Sequence, residues 1–379
     1  MKINISCLGI HFDCPVIGVT TFGVSFWTNF ITRTPYPTSY VPNLFTSYSD
    51  NMSFSQRFFN TFIWISEEFL WHYLHYPKQV ELYKKFFPQN KPELIEAIKN
   101  VALILNNNHF STSTIKPSVP NVIDIGGICV QPAKELPKEF QEFLDSATEG
   151  AILFSMGSCI QAVDWPINKR EIFVRVFSKL KQKVIWKYEN ETLPNKPDNV
   201  MISPWIPQRD ILAHPNVKMF ISHGGLLGTN EAIFEAVPIL GIPIYGDQRM
   251  NMKVVNEKGL GLKLDFHTFN ENDLIKALDE ILNGSEISNK AKEFSTIYRD
   301  RPMTPQETAV YWVEYVIKHK GAPHLRTTAW KLNYIEFYNI DVYMTMLISF
   351  LSFLFLIKFA ICKILLLKVW RLKNKVKKQ

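Results

Sequence analysis

The chain has 379 residues, enough for a substantial buried core and for about two domains. Its formal net charge of +7 comes from the C-terminus, because residues 363–379 contain seven Lys or Arg and no acid. The rest of the chain is therefore neutral, which excludes nucleic acid as an expected partner.

The opening stretch, residues 1–27, lacks a convincing secretory signal peptide. The apolar run behind Lys2 is interrupted by His11 and Asp13, and a signal peptide needs an unbroken apolar region. Residues 16–19 instead predict a strand from the interior of a sheet.

Residues 54–76, FSQRFFNTFIWISEEFLWHYLHY, carry many aromatic side chains at helical spacing. Such a helix packs into the core, lines the pocket of an apolar ligand or lies against a membrane surface. We expect core packing as its main role. A pocket lined by these residues would suit lipophilic hydroxylated molecules such as phenols and steroids.

The middle of the chain alternates between short apolar runs and stretches with helical spacing. The predicted strands are residues 151–155, 183–188, 217–222 and 238–245. This alternation predicts a parallel sheet covered by helices on both faces. Ligands of such sheets bind beyond the carboxyl ends of the strands, so the loops that follow these runs are the candidate site.

The stretch FISHGGLLGTNEAIF, residues 220–234, passes from strand-forming residues through a glycine pair into a helix-forming segment. Such a turn leaves backbone N–H groups unpaired at the positive end of the helix dipole, which favours an anion and most often a phosphate. Gly225 and Gly228 also fit the dinucleotide motif G-x-G-x-x-G, but His223 occupies the place of its first glycine.

A further helix is predicted between Asn270, which can cap its beginning, and Gly284, which follows its end. Its apolar stripe serves packing.

Residues 342–357 are uncharged and apolar, and with the extension to residue 362 they reach the roughly 20 residues that a helix needs to cross a bilayer. We predict one transmembrane helix, residues 342–362, followed by a basic cytosolic tail, residues 363–379. The body of the protein would then face the opposite compartment. The alternative is a buried C-terminal helix.

Several short motifs agree with a body in the lumen of the endoplasmic reticulum. Glycosylation sequons begin at Asn4, Asn51, Asn190 and Asn283. Lysines 375 and 377 form the pattern of a dilysine retrieval signal. The five cysteines show no metal-ligand spacing.

Together the candidate loops carry an aromatic plate, hydroxyl and backbone donors, a histidine at a helix N-terminus, and carboxylates with an amide. Residues 205–251, WIPQRDILAHPNVKMFISHGGLLGTNEAIFEAVPILGIPIYGDQRMN, resemble the donor-binding signature of the UDP-glycosyltransferases, the UDP-glucuronosyltransferase family. The resemblance extends to FSMGS (154–158), to GAPHLR (321–326) and to the membrane anchor, and covers the chain from about residue 14.

The resemblance implies an α/β fold of the GT-B type. A partial acceptor-binding domain would occupy residues 1–121, and a doubly wound parallel-sheet domain for the UDP-sugar would occupy residues 122–335. The transmembrane helix and the tail would follow.

Roles for the nucleoside and sugar contacts follow from the resemblance. Trp205 would stack on the uracil, its alternative being ordinary core packing. Gln208 would hydrogen-bond the nucleoside, and Glu231 would accept hydrogen bonds from the ribose hydroxyls. Asp247 and Gln248 would contact the hydroxyls of the transferred sugar.

The pyrophosphate would be held at the helix N-terminus by the glycine turn and a neighbouring loop. The residues concerned are Ser155, Gly157, Ser158, His223, Gly224, Gly225 and Gly228. Leu227 departs from the family, many members of which have Asn there, so one side-chain phosphate contact is expected to be absent. Backbone N–H groups do most of the binding and remain.

In this family the acceptor hydroxyl displaces UDP directly from the anomeric carbon with inversion, and the helix dipole and donors stabilise the departing phosphate without a metal. The resemblance therefore implies no metal and no cofactor. UDP-glucuronate or UDP-glucose would be the co-substrate, and small lipophilic hydroxylated molecules the acceptors.

The family's general base is a histidine early in the N-terminal domain, oriented by an aspartate. The opening of this chain resembles a region beyond that aspartate. We therefore expect both residues, with about half of the acceptor domain, to lie upstream of Met1. No catalytic residue is assigned within the chain, and His11 is not expected to replace the base.

Two alternatives to an active transferase stay open. A catalytically silent membrane protein would keep the donor site and associate with full-length relatives or with itself. An NAD-binding oxidoreductase is suggested by Asp247, nineteen residues after Gly228. His223, together with Trp205 and Gln208, disfavours the oxidoreductase.

Overall fold

The computed structural model describes residues 6–23, 25–87, 92–158 and 160–376. The Asn4 sequon and lysines 377 and 378 lie outside the described residues. The chain divides into two units, Met1–Arg326 and Thr327–Gln379.

The N-terminal lobe, residues 6–124, is built on a parallel sheet with the strand order β1-β2-β3. Its elements are α1 (Ser6–His11), β1 (Val16–Thr20), α2 (Phe26–Thr32), α3 (Phe54–Leu70), α4 (Tyr76–Phe86), α5 (Leu94–Lys99), β2 (Val101–Asn106) and β3 (Val122–Asp124). The strand predicted at residues 16–19 is confirmed as β1, which pairs with β2. β2 is buried along its whole length because it lies between two strands.

α3 begins at a capping box and buries one of its faces. The N–H of Gln56 donates to Ser53 Oγ (3.4 Å), and the N–H of Ser53 donates to Gln56 Oε1 (2.9 Å). Trp64 on α3 and Trp71, directly after its end, are only 9% and 2% exposed, so core packing is confirmed for this face. The opposite face is apolar and exposed. Its residues include Phe58, Phe62 and Phe69.

The C-terminal lobe, residues 138–318, contains the larger sheet and its covering helices. Its elements are α6 (Lys138–Asp145), β4 (Ala151–Ser155), α7 (Ile167–Phe177), β5 (Lys183–Lys187), β6 (Val200–Ser203), α8 (Gln208–Leu212), β7 (Val217–Ser222), α9 (Leu226–Phe234), β8 (Ile239–Gly241), α10 (Gln248–Glu257), β9 (Gly261–Lys263), α11 (Glu271–Asn283), α12 (Glu286–Arg299) and α13 (Pro305–Lys318).

All strands of the larger sheet are parallel, in the order β6-β5-β4-β7-β8-β9. The strand order reverses its direction between β4 and β7, which is where doubly wound sheets bind ligands. The four predicted strands are confirmed as β4, β5, β7 and β8, although β8 ends at Gly241 instead of residue 245. It ends early because Pro243 has no N–H for the ladder, and the N–H groups of Ile244 and Tyr245 bond a side chain.

The predicted helix between Asn270 and Gly284 is confirmed as α11. Asn270 Oδ1 accepts the N–H groups of Asn272 (2.9 Å) and Asp273 (3.1 Å), and Gly284 ends the helix. This side-chain cap satisfies backbone donors that the first turn leaves free.

An aromatic cluster forms the core on one face of the larger sheet. Trp186 of β5 is fully buried and stacks on Phe154 of β4 with ring centroids 4.8 Å apart. Phe173 and Phe177 of α7 complete the cluster. These buried aromatic rings therefore stabilise the larger sheet, whose loops form the candidate site.

The last helix of the larger unit returns to the first sheet. Val316 of α13 is fully buried and packs in one cluster with Leu103 and Leu105 of β2. The C-terminal end of this unit therefore stabilises the N-terminal lobe.

The smaller unit contains α14 (Tyr334–Phe337) and α15 (Ile340–Val376). Among the described residues, α15 is the one helix long and apolar enough to cross a membrane, over the 31 residues Ile340–Trp370. At 1.5 Å per residue this stretch is about 46 Å long, more than the roughly 30 Å of a bilayer core.

Two tryptophans of the C-terminal lobe provide a matched test of this packing. We expect Trp186→Ala to lower the free energy of unfolding by about 3–5 kcal/mol, because it empties a fully buried site. Trp205→Ala should change it by less than about 0.5 kcal/mol, because Trp205 is 76% exposed. Denaturant titration of the full chain in detergent measures both, and equal losses would contradict the packing described.

Candidate functional site

The site is organised by two matching turns at the carboxyl ends of β4 and β7. The two strands are neighbours, and Ser155 is paired with Ser222. The N–H of Gly157 donates to Ser155 Oγ (3.3 Å), and the N–H of Gly224 donates to Ser222 Oγ (3.2 Å). Both glycines have left-handed backbones, with φ of 78° and 79°, which other residues adopt only with strain. The backbone therefore turns away from β4 and from β7 at paired positions of the sheet.

His223 lies between these two turns. Its ring packs so closely on Gly157 that a Cβ there would stand 2.6 Å from Cε1 of the ring. Its Nδ1 is buried and has no hydrogen-bond partner in the described parts of the chain. Burial lowers the pKa of His223 to about 4, against the opposing effect of Asp247. The ring is therefore neutral at pH 7.

α9 begins directly after the glycine pair, with Gly225 as its N-cap and Leu226 as its first residue. The first N–H groups of a helix have no partner within the helix, and the positive end of the dipole lies there. Leu227 is 42% exposed and has no polar atom in its side chain. The turn can hold an anion with backbone groups alone.

The predicted nucleoside contacts lie together on one side of this turn. Trp205 follows β6 and is 76% exposed, which excludes the core-packing alternative. Gln208 Nε2, at the start of α8, donates to Glu231 Oε2 on α9 (2.7 Å). Burial raises the pKa of Glu231, while the hydrogen bond from Gln208 opposes this shift. The amide and carboxyl groups thus form one polar pair.

The predicted sugar contacts lie in the loop after β8. Asp247 is the N-cap residue of α10, and its Oδ2 accepts a hydrogen bond from Asn251 Nδ2 (2.9 Å). Gln248 is 4% exposed, and its Oε1 accepts the N–H groups of Ile244 (2.8 Å) and Tyr245 (3.0 Å). The side-chain oxygen of Gln248 therefore shapes the loop.

The two predicted serines differ in their surroundings. Ser155 is 2% exposed, and its hydroxyl accepts the N–H of Gly157 within the turn. Ser158 is exposed at the rim of the same loop.

Gly228 lies one turn into α9, where a Cβ would come within 3.1 Å of Gln208 Nε2. A glycine there lets the Gln208 side chain approach α9.

Asn251 is a site residue that the sequence analysis did not single out. Its Nδ2 donates to the carbonyl oxygen of Gly224 (2.9 Å) as well as to Asp247. It therefore connects the phosphate turn to the sugar loop. The spacing in the sequence could have indicated this contact. Asn251 lies four residues after Asp247, and residues at that spacing are neighbours on the surface of a helix.

A cavity of about 330 Å³ adjoins the sugar loop. Tyr245, Gly246 and Asp247 line it from the C-terminal lobe. The N-terminal lobe contributes mostly aromatic and apolar walls, among them Phe26 and Trp64. Its size and lining suit a small aromatic molecule.

Two lobes that each contain a parallel sheet, with a phosphate-type turn at the switch point and a cavity beside it, define a glycosyltransferase fold of the GT-B class. The chain belongs to the UDP-glucoronosyl and UDP-glucosyl transferase family, whose sequence profile matches residues 11–379.

Individual relatives agree with this assignment. The chain is 40% identical to the UDP-glycosyltransferase UGT5 of Dactylopius coccus, over 84% of this chain and 60% of that protein. It is 37% identical to UDP-glucosyltransferase 2 of the same organism, over 94% and 69%. The chain thus spans 60% and 69% of the lengths of these two relatives.

The solved structure of the spinosyn forosaminyltransferase SpnP has the same fold. The TM-score is 0.58 at 16% identity, over 82% of this chain and 73% of that structure. At this identity the likeness concerns the fold alone.

The pKa of His223 predicts a pH-dependent contribution to stability. Because its folded-state value of about 4 lies below the ordinary value, the unfolded chain takes up the proton first. Stability is then lost as the pH falls from about 6.5 towards 4. We expect the free-energy difference between the parent and His223→Gln to shift by about 2 kcal/mol against the parent between pH 7 and pH 5.

Denaturant titration at both pH values measures this shift. His109, whose pKa burial also lowers to about 4, is present in both proteins and cancels in the difference. Parallel pH profiles of parent and variant would contradict a buried neutral His223.

Proposed function

We propose that the chain contains the UDP-sugar site of a transferase that moves glucose or glucuronate to hydroxyl groups of small lipophilic acceptors. The proposal rests mainly on one observation about His223. Its buried Nδ1 has no hydrogen-bond partner in the described parts of the chain. Buried polar atoms in proteins are rarely left unpaired without a functional reason. A diphosphate at the N-terminus of α9 would supply that reason, because it accepts hydrogen bonds from the backbone and from the histidine ring.

The nucleoside half of the donor would lie against Trp205 and the Gln208–Glu231 pair. A ring with 76% exposure offers a free face for stacking on the uracil. The Glu231 carboxyl, already desolvated, would accept hydrogen bonds from the ribose hydroxyls. These assignments follow from the resemblance of residues 205–251 to the family signature.

The sugar would lie against the loop that contains Asp247 and Gln248. Asp247 would accept hydrogen bonds from sugar hydroxyls, with Asn251 holding it in place. Gln248 would offer its amide Nε2, because its Oε1 bonds the loop backbone. Both contacts suit glucose and glucuronate alike, so the sugar is assigned as one of the two.

The reaction would be a direct displacement with inversion at the anomeric carbon. Charge develops on the departing phosphate, and the α9 N–H groups with the helix dipole would stabilise it. We propose no metal and no cofactor for this step, since the UDP-sugar is itself a substrate. Donor binding would involve residues 122–335 and acceptor binding residues 1–121.

A second candidate is a catalytically silent membrane protein that binds the donor and associates with longer relatives. It is favoured by the low basicity of the one histidine in the donor site. With a pKa of about 4, His223 is a poor general base at pH 7.

The proposed location is the endoplasmic reticulum membrane, with α15 as a single span. The cations after residue 362 would lie on the cytosolic side, as the positive-inside rule requires. The body would be lumenal, where the sequons at Asn51, Asn190 and Asn283 would be accessible to glycosylation.

UDP binding tests the donor site directly. We expect calorimetry of the full chain in detergent to show binding of UDP and none of NAD. His223→Ala should weaken UDP binding by about 1–3 kcal/mol, the cost of losing a hydrogen bond to a charged group. Trp205→Ala should weaken it as well, because the stacked face is removed.

His267→Ala is the matched control, since this histidine is exposed and lies after β9 in the same lobe. It should leave UDP affinity unchanged. The donor assignment fails if NAD binds in place of UDP, or if both site variants bind UDP as tightly as the parent.

Turnover separates the two candidate functions. We expect the chain to bind UDP-glucose and UDP-glucuronate and to show little or no transfer to a phenolic acceptor, because His223 is too weak a base at pH 7. Product formation by mass spectrometry measures this. Rapid transfer would eliminate the silent candidate and require a base among the residues present.

A further inference from the structure

Glu67 is a carboxyl group in the wall of the aromatic cavity beside the sugar loop. It lies on α3, one helical turn after Trp64, which lines the same cavity. The Trp64 ring stacks on Tyr36 with centroids 5.9 Å apart and contacts Phe26 edge-on at 6.3 Å. The Glu67 carboxyl group thus lines the same cavity as these three aromatic rings.

The orientation of Glu67 is fixed by Asn43. Asn43 Nδ2 donates to Glu67 Oε2 (2.7 Å). Asn43 is itself 4% exposed, its N–H donates to Asn60 Oδ1 (2.7 Å), and its Oδ1 accepts the N–H of Phe45 (3.0 Å). Two further hydrogen bonds therefore hold the residue that positions the carboxyl, which is the kind of support that a binding residue needs.

No positively charged partner within the described residues explains why a carboxyl group lies at position 67. In the described parts of the chain, Oε1 of Glu67 has no hydrogen-bond partner, and no Lys, Arg or His forms an ion pair with Glu67. Burial raises the pKa of Glu67, a shift that the hydrogen bond from Asn43 opposes. A partly desolvated carboxyl without a counter-charge is costly, so it fits best with a cationic or hydrogen-bonding ligand.

We propose that Glu67 determines acceptor specificity by binding a protonated amine on an aromatic acceptor whose hydroxyl group is glycosylated. Aromatic faces and a carboxylate together attract an ammonium group, by cation–π attraction and by a charge-assisted hydrogen bond. This inference rests on the proposed function, because Asp247 and Tyr245 line the same cavity and would bring the sugar to the acceptor. The acceptor class is then a hydroxylated arylalkylamine.

Two matched phenols test this specificity in the full chain saturated with UDP. Tyramine and 4-ethylphenol share the phenol ring and differ in the amine. Calorimetry should show tyramine binding about tenfold or more tightly than 4-ethylphenol, the effect of one hydrogen bond between charged groups. In Glu67→Gln, which keeps an oxygen for Asn43 and loses the charge, the two affinities should agree within about threefold.

Glu81→Gln makes the same chemical change at an exposed position of α4, away from the cavity, and should preserve the preference for tyramine. UDP affinity and melting temperature, measured on every variant, should be unchanged in Glu67→Gln. Equal affinity of the parent for both phenols, with UDP bound, overturns the assignment of Glu67. An equal loss of both phenols in Glu67→Gln overturns it too. Absence of UDP binding to the parent identifies failure of the donor site instead.

Discussion

The pairing of β4 with β7 is the constraint on which the site depends. Because Ser155 and Ser222 are partners in that ladder, their two Ser-x-Gly turns leave the sheet side by side. That places the His223 ring over the backbone of Gly157 and starts α9 immediately beside it. A shift of register between these strands would separate the two turns and leave neither able to enclose a diphosphate.

The same arrangement connects the turn after β7 to the loop after β8. Asn251 donates hydrogen bonds to the carbonyl of Gly224 and to the carboxylate of Asp247, and so links the two segments. Gln248 fixes the loop after β8 through two hydrogen bonds to its backbone. Tyr245, Gly246 and Asp247 of this loop line the aromatic cavity. Burial keeps the histidine neutral, so the attraction for a diphosphate would come from backbone N–H groups and the helix dipole.

Local patterns predicted much of the scaffold, whereas the roles of the donor-site residues came from the family resemblance and stay predictions. The apolar runs gave β4 and β7 their observed bounds, and the cap at Asn270 gave the start of α11, because each depends on neighbouring residues. Long-range pairs were beyond such reasoning. Gln208 bonds Glu231 over 23 residues, and Asn43 bonds Glu67 over 24, and nothing in the spacing of either pair indicates contact. The predicted end of β8 was wrong for the same reason. The N–H groups of Ile244 and Tyr245 donate to the Gln248 side chain and not to a neighbouring strand.

The most direct measurement is an experimental structure of the full chain with UDP. We expect density for the two phosphates within about 3 Å of the N–H groups at the start of α9 and of the His223 ring, the distance of a hydrogen bond to an anion. The uracil would then lie against Trp205. Phosphate density at any other place in the chain, or side chains filling the space between the two turns, would contradict it.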